Sequence, residues 1–315
     1  MSRTITVKQL INAVNLEIRA GEAGINNIIS NEEVRFPWLE FAGIFDYYEP
    51  EKINLVSSKE AVYLKALGKE LAEERMEAFF LRHPSGIVFS RNVDIPEYVI
   101  KLGNKYNVPV LKSELRTTSL NSKMFGYLCS KLSPRESVHG VLLDINGMGT
   151  LIIGKSGIGK SETALELVKR GHQLIADDRV EVYEKEVGVL IGEAPELIAQ
   201  YLEVRGVGII NVMHMFGAGA YRESKKIRLV IELELWNKDK NYDRLGLEHE
   251  TVTYFNTELP KLVIPIMPGR NNAVLVEAAA MNQKLKYFGL DGAKTLTDKI
   301  GRITRGWRRW FMIHF

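Results

Sequence analysis

The chain contains 315 residues, of which 45% are hydrophobic and 26% are charged. Because domains usually hold about 100–200 residues, this length predicts two domains. There is no run of about 18 apolar residues, and the N-terminus is too polar for a signal peptide, so we expect a cytoplasmic protein without membrane binding. The single cysteine, Cys129, excludes a disulfide within the chain and a cysteine metal cluster, and we expect it to be a small buried side chain.

The formal net charge is +3 at pH 7, but four arginines lie in the last fifteen residues, which contain no acid. They are Arg302, Arg305, Arg308 and Arg309, and without them the net charge is −1. A nearly neutral body argues against nucleic-acid binding, which needs a sustained basic face. Two interpretations of the tail, residues 301–315, stay open: a segment that contacts a membrane surface or RNA, or an extension that is disordered or non-native.

The first part of the chain alternates between predicted strands and helices. "SSKEAVYLKALG" predicts a helix with Ser57 or Ser58 as its cap and Gly68 as its stop, and "KELAEERMEAFFLR" predicts a second helix. The strand "GIVFS" precedes a helix that begins near Pro96, and the strand "VPVLKS" precedes the helix "SLNSKMFGYLCSKL". Two successive strand–helix units predict a small sheet with parallel strands.

A short polar stretch that contains a proline, "LSPRES", predicts the domain boundary. We therefore expect an N-terminal α/β domain at 1–131, with an assembly or regulatory role, and a catalytic domain at 132–315. After the boundary, two apolar runs flank Asn146 and Gly147, a strong turn dipeptide, so we expect a hairpin. A long helix is predicted to begin near Asn271.

The second strand of that hairpin runs into "GKSGIGKS", which matches the phosphate-loop pattern GxxxxGK[ST] at every fixed position. Its residues are Gly154, Lys155, Ser156, Gly157, Ile158, Gly159, Lys160 and Ser161. Backbone N–H groups and the positive end of the following helix would hold the phosphates of ATP. Lys160 would then contact the β- and γ-phosphates, and Ser161 would bind Mg²⁺. The alternative is a tight glycine turn without a ligand.

Two adjacent acids, Asp177 and Asp178, follow the helix of this loop at the predicted end of a strand. One can lie near the metal while the other removes a proton from an attacking hydroxyl; the alternative is a solvated surface pair. The metal-binding acid of switch ATPases and GTPases usually comes much later, so this early pair argues against them. The motifs of eukaryotic-type protein kinases are absent, and "NKDK" misses the guanine-binding pattern NKxD.

Three segments together resemble the bacterial HPr kinase/phosphorylase family: "GKSGIGKSETALELVKRGHQLIADDRVE", "LEVRGVGIINV" and "PIMPGRNNAVLVEAAAMN". They occur in the family's order over more than a hundred residues. The resemblance implies a two-domain α/β fold with a C-terminal P-loop kinase domain similar to phosphoenolpyruvate carboxykinase. It also implies an ATP-dependent protein serine kinase that phosphorylates HPr, the phosphocarrier of the sugar phosphotransferase system, and so controls carbon catabolite repression.

The resemblance further implies a reverse reaction, in which inorganic phosphate removes the phosphoryl group and pyrophosphate is released. It implies a homohexamer and fructose 1,6-bisphosphate as an effector. Two other functions stay open from the residues alone. One is a small-molecule kinase or carboxykinase-like enzyme that uses the same phosphate site, and the other is a nucleotide-gated binding protein without catalysis.

Roles carried over from the family fall on matching positions of this chain. Asp178 is implied as the catalytic acid and base, while Asp177, Glu203 and Ser161 are implied as ligands of Mg²⁺ or Mn²⁺. Further catalytic positions are implied at Lys160, His139, Arg244, Arg205 and Arg270. From the residues alone, His139 and Arg244 are unremarkable. Glu203 with Arg205 would also fit a surface ion pair, and Arg270 would fit a simple helix start.

Overall fold

The computed structural model describes residues 3–240, 242, 250–267 and 269–300. The chain divides into two compact units, Met1–Pro134 and Arg135–Phe315, so the division lies three residues after the expected one at residue 131. In the described part of the chain, no helix has both the length and the apolar character needed to cross a membrane.

The first unit is an α/β layer structure. Its strands are β1 (Ile5–Thr6), β2 (Glu17–Ala20), β3 (Ile28–Ile29), β4 (Val34–Arg35), β5 (Ile53–Val56), β6 (Ile87–Phe89) and β7 (Val110–Lys112). Its helices are α1 (Val7–Val14), α2 (Trp38–Phe41), α3 (Ser58–Ala66), α4 (Lys69–Phe80), α5 (Glu97–Tyr106) and α6 (Thr117–Leu132). Five strands form a sheet in the order β2-β7-β6-β5-β4. The pairs from β4 to β7 are parallel, which confirms the predicted parallel sheet.

Local signals place several helix ends in this unit. The Ser57 side chain accepts the N–H of Lys59 at 3.2 Å, and the N–H of Ser57 donates to Glu60 Oε2 at 2.7 Å, which together form a capping box for α3. Helix α5 begins after Pro96, as predicted. Gly68 separates α3 from α4 at a φ of 78°, a backbone conformation that favours glycine. Cys129 is buried, as predicted.

The second unit carries the glycine-rich segment. Its strands are β8 (Arg135–His139), β9 (Val141–Ile145), β10 (Met148–Gly154), β11 (Gln173–Ala176), β12 (Arg179–Glu186), β13 (Val189–Glu193), β14 (Tyr201–Val204), β15 (Gly208–Asn211), β16 (Ser224–Leu235), β17 (Glu250–Tyr254) and β18 (Thr257–Ile266). Its helices are α7 (Lys160–Lys169), α8 (Val212–Phe216) and α9 (Asn272–Tyr287). Strands β9 and β10 pair antiparallel across the turn at Asn146 and Gly147, which confirms the predicted hairpin.

The large sheet of this unit has the strand order β11-β9-β10-β16-β13-β12-β8, and β18 pairs with both β16 and β17. Strand β16 lies between β10 and β18 and is parallel to both, so the carboxyl ends of the three strands share one edge of the sheet. Apolar side chains of α7 and α9 pack on the sheet around Leu167, Val276 and Ile231. This packing fixes the end of β10 and the start of α7, where the candidate site lies.

Candidate active site

A glycine loop, residues 154–161, joins the carboxyl end of β10 to the first turn of α7. A Cβ on Gly154 would lie 2.5 Å from the carbonyl oxygen of Leu233, so the neighbouring strand β16 leaves room only for glycine. Gly157 and Gly159 have φ values of 78° and 98°, which side chains rarely adopt. The loop therefore curves sharply and brings its backbone to the positive end of α7.

Lys160, the first residue of α7, is 7% exposed, and its ammonium lies over the curved loop. Nζ donates to the carbonyl oxygens of Gly154 at 2.9 Å and Lys155 at 3.2 Å, and it contacts Nε2 of His139 at 3.1 Å. Burial lowers the pKa of Lys160, while the charges of Asp178 and Asp177 act in the opposite direction. A cation is thus held where the loop would bind an anion.

Ser161 and Asp177 form a second contact beside the loop. The Ser161 hydroxyl donates to Asp177 Oδ1 at 2.9 Å, and the N–H of Glu203 in β14 donates to Asp177 Oδ2 at 3.0 Å. Asp177 is 5% exposed, and its burial raises the pKa of the carboxyl group despite these hydrogen bonds. The raised pKa means that these hydrogen bonds do not fully replace the hydration that the ionised carboxylate loses on burial. A bound cation would supply the missing stabilisation.

Asp178 follows β11 in a left-handed conformation with a φ of 64°. The side chain is 70% exposed, and Oδ1 lies 3.2 Å from Nδ1 of His139. The carbonyl oxygen of Asp178 lies 2.9 Å from the same ring nitrogen and accepts the N–H of Gly140 at 3.1 Å. The two predicted acids therefore occupy different environments, one buried and one at the surface of the cleft.

Arg205 closes one side of the cleft. A Cβ on Gly157 would lie 2.7 Å from Nη1 of Arg205, so the guanidinium is packed directly against the glycine loop.

The cleft is lined by His139, Ser156, Gly157, Gly159, Lys160, Ser161, Glu162, Asp177, Asp178, Glu203 and Arg205. Glu162 was missed by the sequence analysis, although an acid in the first turn of the helix that follows a phosphate loop was a usable signal.

Comparison with known proteins extends over nearly the whole chain. Residues 130–300 match the family model described as HPr Serine kinase C-terminal domain, and residues 5–128 match HPr Serine kinase N terminus. An HPr kinase/phosphorylase of Bacillus subtilis (strain 168) is 48% identical over 299 residues, covering 95% of this chain and 96% of that protein. The chain belongs to the HPr kinase/phosphorylase family. This membership confirms the predicted family and the interpretation of the chain as a kinase and phosphorylase.

The chain is also similar to a second curated relative and to one solved structure. A Geobacillus HPr kinase/phosphorylase is 49% identical over 296 residues, covering 94% of this chain and 95% of that protein. A solved structure of an Hpr(Ser) kinase/phosphatase from Coxiella burnetii is 37% identical and covers 49% of this chain and 93% of that one, with a TM-score of 0.47.

Not every family position expected to act in catalysis lines the cleft. Arg270 follows β18, two strands away from the glycine loop on the same sheet edge, and it is not among the lining side chains. Arg244 and the tail at 301–315 lie outside the described residues. His172 lies outside the cleft: it is 4% exposed, and its Nε2 lies 3.2 Å from Oε1 of Glu277.

The donor atoms beside the glycine loop fit a hard divalent cation. Within the described ranges, no group of three or more His, Cys, Asp or Glu side chains could hold a metal ion alone. The Ser161 hydroxyl and the Asp177 carboxylate supply two adjacent oxygens, and Mg²⁺ is usually bound by one or two protein groups together with substrate phosphates. The site therefore fits a metal that arrives with a nucleotide.

Proposed function

We propose that this chain transfers the γ-phosphoryl group of ATP to a serine hydroxyl of HPr and, with inorganic phosphate, removes it again by phosphorolysis. The observation that carries this proposal is the contact of one imidazole, His139, with both Lys160 and Asp178. The ring thereby joins Lys160, which would bind phosphate, to Asp178, which would move a proton, in one cleft. Phosphoryl transfer needs little more than positioning, charge stabilisation and a proton acceptor.

The glycine loop would bind the phosphates through its backbone N–H groups, as the helix N-terminus favours anions. Lys160 would exchange its contacts with the carbonyl oxygens of Gly154 and Lys155 for contacts with the β- and γ-phosphates. The guanidinium of Arg205, packed against Gly157, would neutralise charge on the transferred group. Arg270 and Arg244 are proposed as further phosphate-binding residues on the basis of the family pattern.

Ser161 and Asp177 would hold Mg²⁺ or Mn²⁺, with the Glu203 carboxylate at the rim of the same cleft. When bound, the metal would neutralise negative charge on the phosphates. The N–H of Glu203 fixes the orientation of the Asp177 carboxylate, so both oxygens of Asp177 are positioned before a ligand binds. Such preorganisation reduces the cost of binding.

Asp178 would act on the proton of the substrate serine. In the forward direction its carboxylate accepts the hydroxyl proton while the serine oxygen forms a bond with the γ-phosphorus and ADP leaves. In the reverse direction phosphate attacks phosphoserine to form pyrophosphate, and protonated Asp178 donates its proton to the departing serine oxygen. The exposed, left-handed position of Asp178 allows a protein substrate to reach its carboxylate.

Three features beyond the catalytic cleft are also proposed from the family pattern: resemblance of the second unit to phosphoenolpyruvate carboxykinase, assembly as a homohexamer, and fructose 1,6-bisphosphate as effector. Control of carbon catabolite repression would follow from phosphorylation of HPr. These properties stay predictions for this chain.

The test uses radiolabelled ATP, Mg²⁺ and purified HPr, with an HPr variant that lacks the acceptor serine as the matched control. We expect the label on HPr, none on the variant, and pyrophosphate after phosphate is added. Label on a small metabolite instead would support the alternative of a small-molecule or carboxykinase-like kinase. ATP binding without transfer to any acceptor would leave only a nucleotide-gated binding protein.

A further inference from the structure

A cavity of about 490 Å³ lies in the first unit, apart from the residues of the catalytic cleft. Its walls come from Ser58, which follows β5, from Phe89 at the end of β6, and from α3, α4 and the segment that precedes α5. The cavity therefore lies at the carboxyl ends of two parallel strands, where open α/β sheets bind their ligands. Its volume is in the range of small-molecule sites.

Most of the cavity lining is apolar. Leu64 and Ala72 line it from α3 and α4, and Phe89 and Val93 line it from β6 and the loop that follows. These four side chains are almost completely buried, so they form the packed floor of the cavity, and the more exposed Ala61, Val62 and Tyr98 supply the apolar surface above it. Such a floor fits a flat or branched apolar group and offers no partner to a molecule that is polar throughout.

Two exposed lysines, Lys65 and Lys69, line the same cavity. Neither has an ion-pair partner within 4 Å among the residues that the structure describes. Lys101 pairs with Glu97 at 2.8 Å and lowers the pKa of that carboxyl group, and the charge of Lys69 adds a smaller effect in the same direction. Asp94 is the one acid in the lining, so the charged groups of the cavity sum to a positive charge. Two cations beside an apolar floor favour a ligand that carries an acidic group at one end.

The wall formed by the loop after β6 is held in place by Lys112 at the end of β7. Its ammonium donates to the carbonyl oxygens of Ser90 at 2.9 Å and Arg91 at 3.1 Å, and also to that of Val93. Three backbone acceptors on one cation fix the path of the loop, so the cavity is shaped before a ligand binds.

We propose that this cavity binds a small organic anion, with an apolar body against Ala61, Val62 and Tyr98 and a carboxylate or phosphate between Lys65 and Lys69. The apolar floor distinguishes this ligand from a sugar bisphosphate, whose hydroxyl groups would lose water there without gaining partners. The site goes beyond the proposed phosphoryl transfer, since it uses none of the residues of the catalytic cleft.

The probe for this site is 8-anilinonaphthalene-1-sulfonate, titrated by fluorescence against the full chain with ATP and Mg²⁺ present to fill the catalytic cleft. N-phenyl-1-naphthylamine, the same molecule without the sulfonate, is titrated in parallel. The charge variant is Lys65→Gln with Lys69→Gln, and its matched control is Lys8→Gln with Lys59→Gln, two exposed lysines outside the cavity. Ala61→Phe fills the cavity from α3.

We expect the Lys65 and Lys69 variant to weaken sulfonate binding about fivefold to tenfold and to leave the neutral probe unchanged, because only the charged contacts are lost. The Lys8 and Lys59 variant should bind both probes like the parent chain. Ala61→Phe should weaken both probes while the thermal unfolding midpoint stays within a few degrees of the parent value. 1-Naphthoate and 1-naphthyl phosphate are added as competitors, and the stronger of the two identifies the acidic group.

Several results would overturn the proposal. Equal sulfonate affinity in all variants would place the probe elsewhere. Loss of both probes in Ala61→Phe without any effect of the lysine variant would mean that the cavity selects neutral apolar molecules. Displacement by fructose 1,6-bisphosphate would contradict the requirement for an apolar body. Failure of both naphthyl competitors to displace the probe would rule out an aromatic organic anion as the ligand.

Discussion

The imidazole of His139 contacts the ammonium of Lys160 with 3.1 Å between Nε2 and Nζ. Because an ammonium can only donate, Nε2 is the acceptor and Nδ1 carries the hydrogen, which faces Asp178. The ring therefore contacts both side chains at once and fixes the position of Asp178 relative to Lys160. This relation depends on β8, which carries His139 to the end of the sheet beside the loop after β11.

His139→Ala should lower kcat of both the kinase and the phosphorylase reaction about 10- to 100-fold, because Asp178 and Lys160 lose their common partner. ATP affinity should change little, since the backbone of the glycine loop is untouched. The measurement is steady-state kinetics in both directions together with ATP titration. His214→Ala, an exposed histidine in α8, is the matched control and should behave like the parent. A variant of His139 with parental kcat would contradict the proposed relation.

Asp178→Asn should lower both reactions by at least about 100-fold while ATP binding survives, because an amide cannot accept the serine proton or return one. Single-turnover assays with ATP and with phosphate check the two directions separately. Asp46→Asn replaces an exposed carboxylate of the first unit and should leave both rates intact. Retained phosphorolysis beside a lost kinase activity would refute a shared acid and base.

Asp177→Asn should stabilise the protein in the absence of metal and nucleotide. The pKa of the folded carboxyl group lies above its ordinary value of 3.8, so the folded state holds this proton more tightly than the unfolded state. Stability from this group is complete below pH 3.8 and is lost as the pH rises through the folded pKa. At pH 7.5 the amide should therefore raise the unfolding midpoint, by a shift on the order of a few degrees.

Thermal unfolding with and without Mg²⁺ and ATP tests this prediction. Addition of both ligands should stabilise the parent chain more than the variant, since Asp177 is proposed to hold the metal. Asp239→Asn, at an exposed position, is the control and should show no shift. A lower midpoint for Asp177→Asn without ligands would mean that its hydrogen bonds outweigh the cost of its burial.

Gly157→Ala should weaken ATP binding about tenfold or more. Its φ of 78° strains any side chain, and the new Cβ would displace the Arg205 guanidinium from the glycine loop. Gly188→Ala is the matched control: Gly188 has a φ of 82° but no neighbour within 4 Å of the added Cβ. Both variants should lose about 1–2 kcal/mol of stability from backbone strain. Equal ATP affinity of the two would show that the contact with Arg205 is unimportant.

Local patterns predicted much of this fold. The Asn146-Gly147 turn formed its hairpin, Asn271 capped α9, and the glycine loop lies between a strand and a helix as expected. These features depend on backbone conformation within a few residues, which side-chain type constrains directly. The division between the units, after Pro134, lies in the short stretch between the end of α6 at Leu132 and the start of β8 at Arg135.

The sequence by itself determined the phosphate-loop pattern, the adjacent acids and the family, because motif spacing and capping chemistry are properties of short segments. Only the tertiary structure decided that Asp177 turns inward to Ser161 while Asp178 turns to His139, and that Arg205 packs on Gly157. These contacts join residues from separate strands and loops. Their distances depend on how the large sheet orders β8, β10 and β11 and on where the separate β14–β15 hairpin packs, which no local pattern encodes.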